Sequence, residues 1–213
     1  MEHSDLFEKL LHILKDLDYI KASQLPDIDL YMDQVTSFMD AHLESSKRYP
    51  DDKILTKTMI NNYTKNDLLP PSVKKKYSQE HLVMLIFIYY MKNIMSISDI
   101  KTLLDPLNEN YFYAEGDLTL KQIYRDVIRL ETRMFRPFYR DISRKVELAE
   151  DAFEDAPEED REYLQNFAMV CMLAFDVYLK KQMIETIVDD MRGKEETAEN
   201  EEKKEKKEKR EKE

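Results

Sequence analysis

Residues 55–104 read LTKTMINNYTKNDLLPPSVKKKYSQEHLVMLIFIYYMKNIMSISDIKTLL, and this stretch decides the fold class. Thr56 is a good N-cap residue, and Met59, Ile60 and Tyr63 recur behind it at helical spacing, so a helix starts there. Asp67, Leu68, Leu69, Pro70 and Pro71 end it, because two prolines in succession cannot continue a helix. Lys74, Lys75 and Lys76 then fall in a short basic connector. Ser78 caps the next helix, which is apolar almost all round from residue 82 to 91, as expected of a buried element. Ser96 and Asp99 have the spacing of a capping box and open a short helix through Ile100, Leu103 and Leu104. Pro106 is expected to stop it.

The same reading extends outward in both directions. Leu6, Leu10, Ile13, Leu14 and Leu17 form one apolar stripe after a Ser4 cap. Beyond Pro26, the residues Leu30, Tyr31, Val35, Phe38, Met39 and Leu43 keep helical spacing, and residues 44–53 read as a loop. Thr119 and Gln122 form a second capping pair, opening a helix through Ile123, Val127, Leu130, Met134 and Phe135. Pro137 is expected to kink or break it before Ile142, Val146 and Leu148. Pro157, followed by Glu158, Glu159 and Asp160, is a strong helix start. That last helix carries Leu164, Phe167, Cys171, Phe175, Tyr178, Ile184, Ile187 and Met191, and Gly193 is a natural stop. Residues 194–213 hold no apolar side chain except Ala198, so they are expected to be a disordered or frayed, charge-paired tail. No period-2 strand and no repeat is visible, so the chain reads as all-α.

Composition excludes several function classes. The 213 residues include two glycines, one cysteine and no tryptophan. So few glycines leave no room for a Gly-rich phosphate loop, and one cysteine excludes a disulfide framework or a Cys-based zinc site. His3, His12, His42 and His81 share no ligand spacing, so neither a metal nor a cofactor is expected. The acidic run of residues 147–162 has no nucleophile or titratable partner beside it, and no catalysis is expected. Cys171 and the aromatic positions of residues 167–179 are expected in the core. The longest apolar runs are ten residues and thirteen residues interrupted by Asp176, both short of the roughly 20 that a membrane span needs. With no signal peptide either, a cytoplasmic protein is expected.

Charge is unevenly distributed. The formal net charge is −11, yet residues 47–81 carry eight basic residues against four acids. A basic island in an acidic chain points to a polyanion partner there.

Residues 55–104 resemble the DNA-binding half of MerR-type regulators. In those proteins a recognition helix ends in a Tyr and a Leu-Leu-Pro-Pro exit. A basic wing follows, then a Tyr-Ser step into an apolar helix and a short helix ending in Leu-Leu. Tyr63, Leu68, Leu69, Pro70, Pro71, Tyr77, Ser78, Ile100, Leu103 and Leu104 occupy those places. Together with Pro26 to Val35, the stretch more closely resembles the uncharacterised YkrK-like proteins of Bacillus type. Three departures stand out. Asn61 and Asn62 replace the usual Arg and Tyr, the wing is shorter and lacks its Gly turn, and the loop at residues 44–53 is longer.

The resemblance implies a MerR-like, minimally winged helix-turn-helix followed by a helical bundle. The expected units are an N-terminal helix at 1–24, the helix-turn-helix at 25–107, a helical region at 108–192 and the tail at 193–213. The expected partner is double-stranded DNA, contacted by Thr56, Lys57, Thr58, Asn61, Asn62, Tyr63 and Lys65 on the helix. Lys74, Lys75, Lys76 and Tyr77 are expected to contact it from the wing. Asn pairs with adenine through both amide atoms, and Lys reaches phosphates or guanine. A homodimer through the C-terminal helices is expected, since dimers read two half-sites. The alternatives are a protein–protein adaptor that has lost DNA contact and a small-molecule sensor; nothing in the sequence identifies an effector.

Overall fold

Thr56 does what an N-cap residue should: its Oγ1 accepts from the Met59 N–H at 3.1 Å, and a helix begins at the next residue. The computed structural model describes residues 9, 10, 12, 20–116 and 118–210, with side chains described through 194 and at 197. Most of the N-terminal stripe from Leu6 to Leu17 lies outside the described residues. The order is β1 (Leu30–Tyr31), α1 (Met32–Leu43), a 3-10 turn (Glu44–Ser46), α2 (Lys57–Lys65), β2 (Lys76–Tyr77), α3 (Gln79–Met91), α4 (Ile97–Asn110), α5 (Leu120–Arg133), α6 (Phe135–Glu150) and α7 (Glu158–Arg210). The chain is mainly helical, with one two-stranded sheet among the described residues.

Two cores hold these elements. The first surrounds α3, whose residues 82–88 are all buried, and it gathers side chains from Ile20 to Tyr124. It therefore crosses the boundary expected at residue 107 and takes in the first half of α5. The second core is smaller: Ile142, Val146 and Ala149 of α6 pack on Met169, Met172 and Leu173 of α7, with Leu10 alongside.

Several boundaries differ from the sequence reading. Leu30 and Tyr31 are a strand, not helix: Leu30 pairs with Tyr77 and Tyr31 with Lys76 in antiparallel register. Pro106 does not stop α4, which runs to Asn110 with the proline inside it. The proline removes one backbone bond, while buried Leu104 and partly buried Leu107 pack the first core on either side of it. The break before Pro137 is real and falls at Met134, between α5 and α6. α7 passes through Gly193 and continues to Arg210. A helical glycine costs only about 1 kcal/mol, and Glu–Lys pairs at four-residue spacing in the charged tail favour the helix.

Candidate nucleic-acid interface

α2 is a two-faced helix. Ile60 and Tyr63 are buried, while Lys57, Thr58, Asn61, Asn62 and Lys65 are exposed. Among the described residues neither the Asn61 nor the Asn62 amide side chain has a hydrogen-bond partner, so both are free to pair. The helix ends sharply. Asp67 adopts φ 54°, and the Leu68 N–H folds back to the Tyr63 carbonyl at 2.9 Å. This turn buries Leu68 and Leu69, and Lys101 donates to the Asp67 carbonyl at 3.2 Å.

The basic connector is a β-hairpin. Val73 and Lys76 exchange both backbone hydrogen bonds, at 3.0 and 2.9 Å. The two residues between them, Lys74 and Lys75, have φ of 51° and 64°. A two-residue loop with positive φ at both positions is a type I′ turn, usually built from Asn-Gly. Here two exposed lysines occupy it. Backbone strain of this kind concentrates at functional sites. Below the tip, Lys76 joins the ladder to β1, and its Nζ lies 5.4 Å from the centroid of the Tyr31 ring.

The hairpin is pinned from beneath by His81, a buried polar residue in the first turn of α3. Its Nδ1 accepts from the Ser78 N–H at 3.0 Å, so Nε2 carries the proton and faces the Pro71 carbonyl at 3.4 Å. The ring also meets Tyr77 and Phe112 edge-on. Burial pushes the imidazole pKa below its usual value, which keeps it neutral.

The first turn of α1 joins α2 to the hairpin. Asp33 forms an ion pair with Lys57, the first residue of α2, while Tyr31, the N-cap of α1, carries Lys76 on its ring. The first turn of α1 thus touches both the start of α2 and the base of the hairpin. The loop at residues 44–56 lets this happen by returning the chain to the N-terminal end of α1. Both members of the Asp33–Lys57 pair are well exposed, so the pair itself contributes little.

The expected contact residues divide accordingly. Lys57, Thr58, Asn61, Asn62, Lys65, Lys74 and Lys75 are on the surface. Thr56 is half-buried and spends its hydroxyl on the cap. Lys76 is half-buried at the base of the hairpin. Tyr63 and Tyr77, expected on the DNA face, are only 8% and 5% exposed. They anchor α2 and β2 to the core, because an aromatic ring contributes more by packing than by facing water. Tyr31, 53% exposed beside the hairpin, is an added candidate. Its only signal is pairing with a strand 45 residues away, which periodicity does not reveal.

α7 presents a second feature. Tyr163, Phe167, Val170, Phe175, Val177, Tyr178, Met183 and Ile187 are each more than half exposed, and Cys171 is exposed beside them. The core placement expected for Cys171 and for Phe167, Phe175 and Tyr178 is corrected here. The face that α6 covers is that of Met169, Met172 and Leu173, and among the described residues the adjacent face has no cover. No helix among the described residues is long and apolar enough to cross a membrane.

A family model described as a domain of unknown function, DUF1836, matches residues 20–127, which is the span of the first core. No curated protein and no solved structure matches the chain.

Proposed function

We propose that the chain, which belongs to the DUF1836 family, is a MerR-like DNA-binding regulator of transcription that works in the cytoplasm as a dimer. One observation carries this reading. The exposed amides and cations of α2 and the two-lysine hairpin tip lie on one surface, joined by the first turn of α1. A helix with free amides suits base edges in the major groove, and lysines at a loop tip suit phosphates. Asp33 favours the adaptor reading, because it neutralises Lys57 where a phosphate would sit.

The dimer reading rests on α7. Its exposed apolar stripe runs from Tyr163 to Tyr178, about 22 Å at 1.5 Å per residue. Large apolar stripes of this kind are rare on monomers. At roughly 100 Å² for each of its six side chains, the stripe offers on the order of 600 Å², the lower end of the share one partner supplies to a standard interface.

The test is selection of genomic DNA fragments by the full chain, followed by titration at stated salt. Asn61→Ala with Asn62→Ala should cost roughly 1–3 kcal/mol per base contact on the selected site and relax sequence choice. An unchanged affinity and selectivity in the folded double variant decides for the adaptor.

A further inference from the structure

α7 meets the first core around residue 188. Val188 is buried there, and the Arg192 guanidinium donates to the Asp99 carboxylate at 2.8 Å and to the Thr102 hydroxyl at 3.3 Å on α4. These contacts fix α7 against the domain without closing the space between them. A cavity of about 390 Å³ remains, bounded by Tyr90 and Met91 of α3, Leu103 of α4, Val127 of α5, and Ile184 and Val188 of α7. The cavity is open to solvent on one side. It falls in the size range of small-molecule sites and sits where they are often found, at a junction between units.

The wall is apolar with one charged exception. Glu131 of α5 stands exposed at the rim and is the sole charged side chain lining the cavity. Among the described residues no cation pairs with it. The nearby Arg129 is turned to Asp126 at 3.2 Å. The apolar walls push the Glu131 carboxyl above the usual carboxylate range. The Tyr124 hydroxyl, another polar group in the wall, already donates to the Ile20 carbonyl.

We propose that this cavity binds an apolar molecule carrying one ammonium group, with its body between α3, α5 and α7 and its ammonium on Glu131. The apolar body fills the cavity, and the ammonium pairs with the one carboxylate at its mouth. Because the cavity joins the first core to α7, its occupant also sets how the two sit together. The consequence for DNA rests on the DNA-binding reading; the binding itself does not.

The test is calorimetric titration of the full chain with decylammonium, decanol and decanoate below their micelle concentrations. Decylammonium should bind at least tenfold more tightly than decanol, and decanoate should bind most weakly. Glu131→Gln should bring decylammonium down to the decanol level and leave decanol unchanged. Val127→Trp, which fills the cavity, should abolish both; if that variant unfolds, Ile184→Trp fills it from α7. Equal affinity for the three probes, an indifferent Glu131→Gln, or no binding of any probe overturns the proposal. If decylammonium binds as expected and DNA affinity does not respond, the site stands and only its link to DNA falls.

Discussion

Replacing Lys74 by Asn and Lys75 by Gly separates what the hairpin tip does for the fold from what it does for a partner. Both lysines now sit at positive φ, at 51° and 64°. For an L-residue that region costs on the order of 1 kcal/mol, while Gly enters it freely and Asn more easily than Lys. Neither lysine side chain is buried, so no packing is lost. The Asn-Gly hairpin should therefore be more stable by about 1–2 kcal/mol, reduced somewhat by the freedom glycine gains in the unfolded chain. Thermal melting should show a rise of about 2–4 °C for each kcal/mol. DNA binding should move the other way. Loss of two phosphate contacts weakens binding to all sequences and flattens the plot of log affinity against log salt by about 0.9 for each contact. Lys74→Gln with Lys75→Gln is the control, since it removes the charges and keeps the strain: affinity falls and Tm stays. An Asn-Gly variant that melts below the parent refutes the turn assignment. An unchanged salt slope refutes the phosphate role.

Three further outcomes follow from other parts of the chain. The neutral His81 has a folded-state pKa below its unfolded value near 6.5, so its contribution is complete above that pH and declines as pH falls below it. Urea unfolding at pH 7.5 and 5.5 should show a smaller loss of stability on acidification in His81→Phe than in the parent. Phe167→Glu with Phe175→Glu, at two of the exposed stripe positions, should turn a dimer into a monomer by light scattering with the helical content retained; a monomeric parent at high micromolar concentration removes the dimer. A chain ending at Gly193 should melt within about 3 °C of the full chain, since residues 194–213 bring almost nothing apolar to bury.

Legibility in the sequence followed the range of the interaction responsible. The caps at Thr56, Ser96 and Thr119 were readable because a hydroxyl and an N–H three residues on settle them locally. The buried α3 was readable from its unbroken apolar run. The hairpin was not, because its turn has neither Asn nor Gly. It is closed by the Val73–Lys76 pair and by a two-residue strand at Leu30 and Tyr31, far back in the chain. The same non-local pairing placed Tyr31 on the surface and turned Tyr77 inward, against a reading made from spacing alone. For the candidate site, the exposed row on α2 was visible from Ile60 and Tyr63 facing the other way. The route by which α1 joins that row to the hairpin was not.

α7 marks where pattern reading runs out for a physical reason. Periodicity reports which side chains are apolar, not which neighbour covers them. One strip of α7, through Met169, Met172 and Leu173, is covered by α6. The next strip, through Phe167, Phe175 and Tyr178, has the same composition and faces solvent. A helix wholly in one core needs a single apolar face of about 100°, and α7 carries a second one beside it. The family match ends at residue 127, before either strip begins. The surplus apolar face therefore belongs to the part of the chain outside the family domain. On the proposed DNA-binding reading, that is where the chain would gain its second half-site, because one small DNA-binding unit alone buries too little DNA to discriminate well.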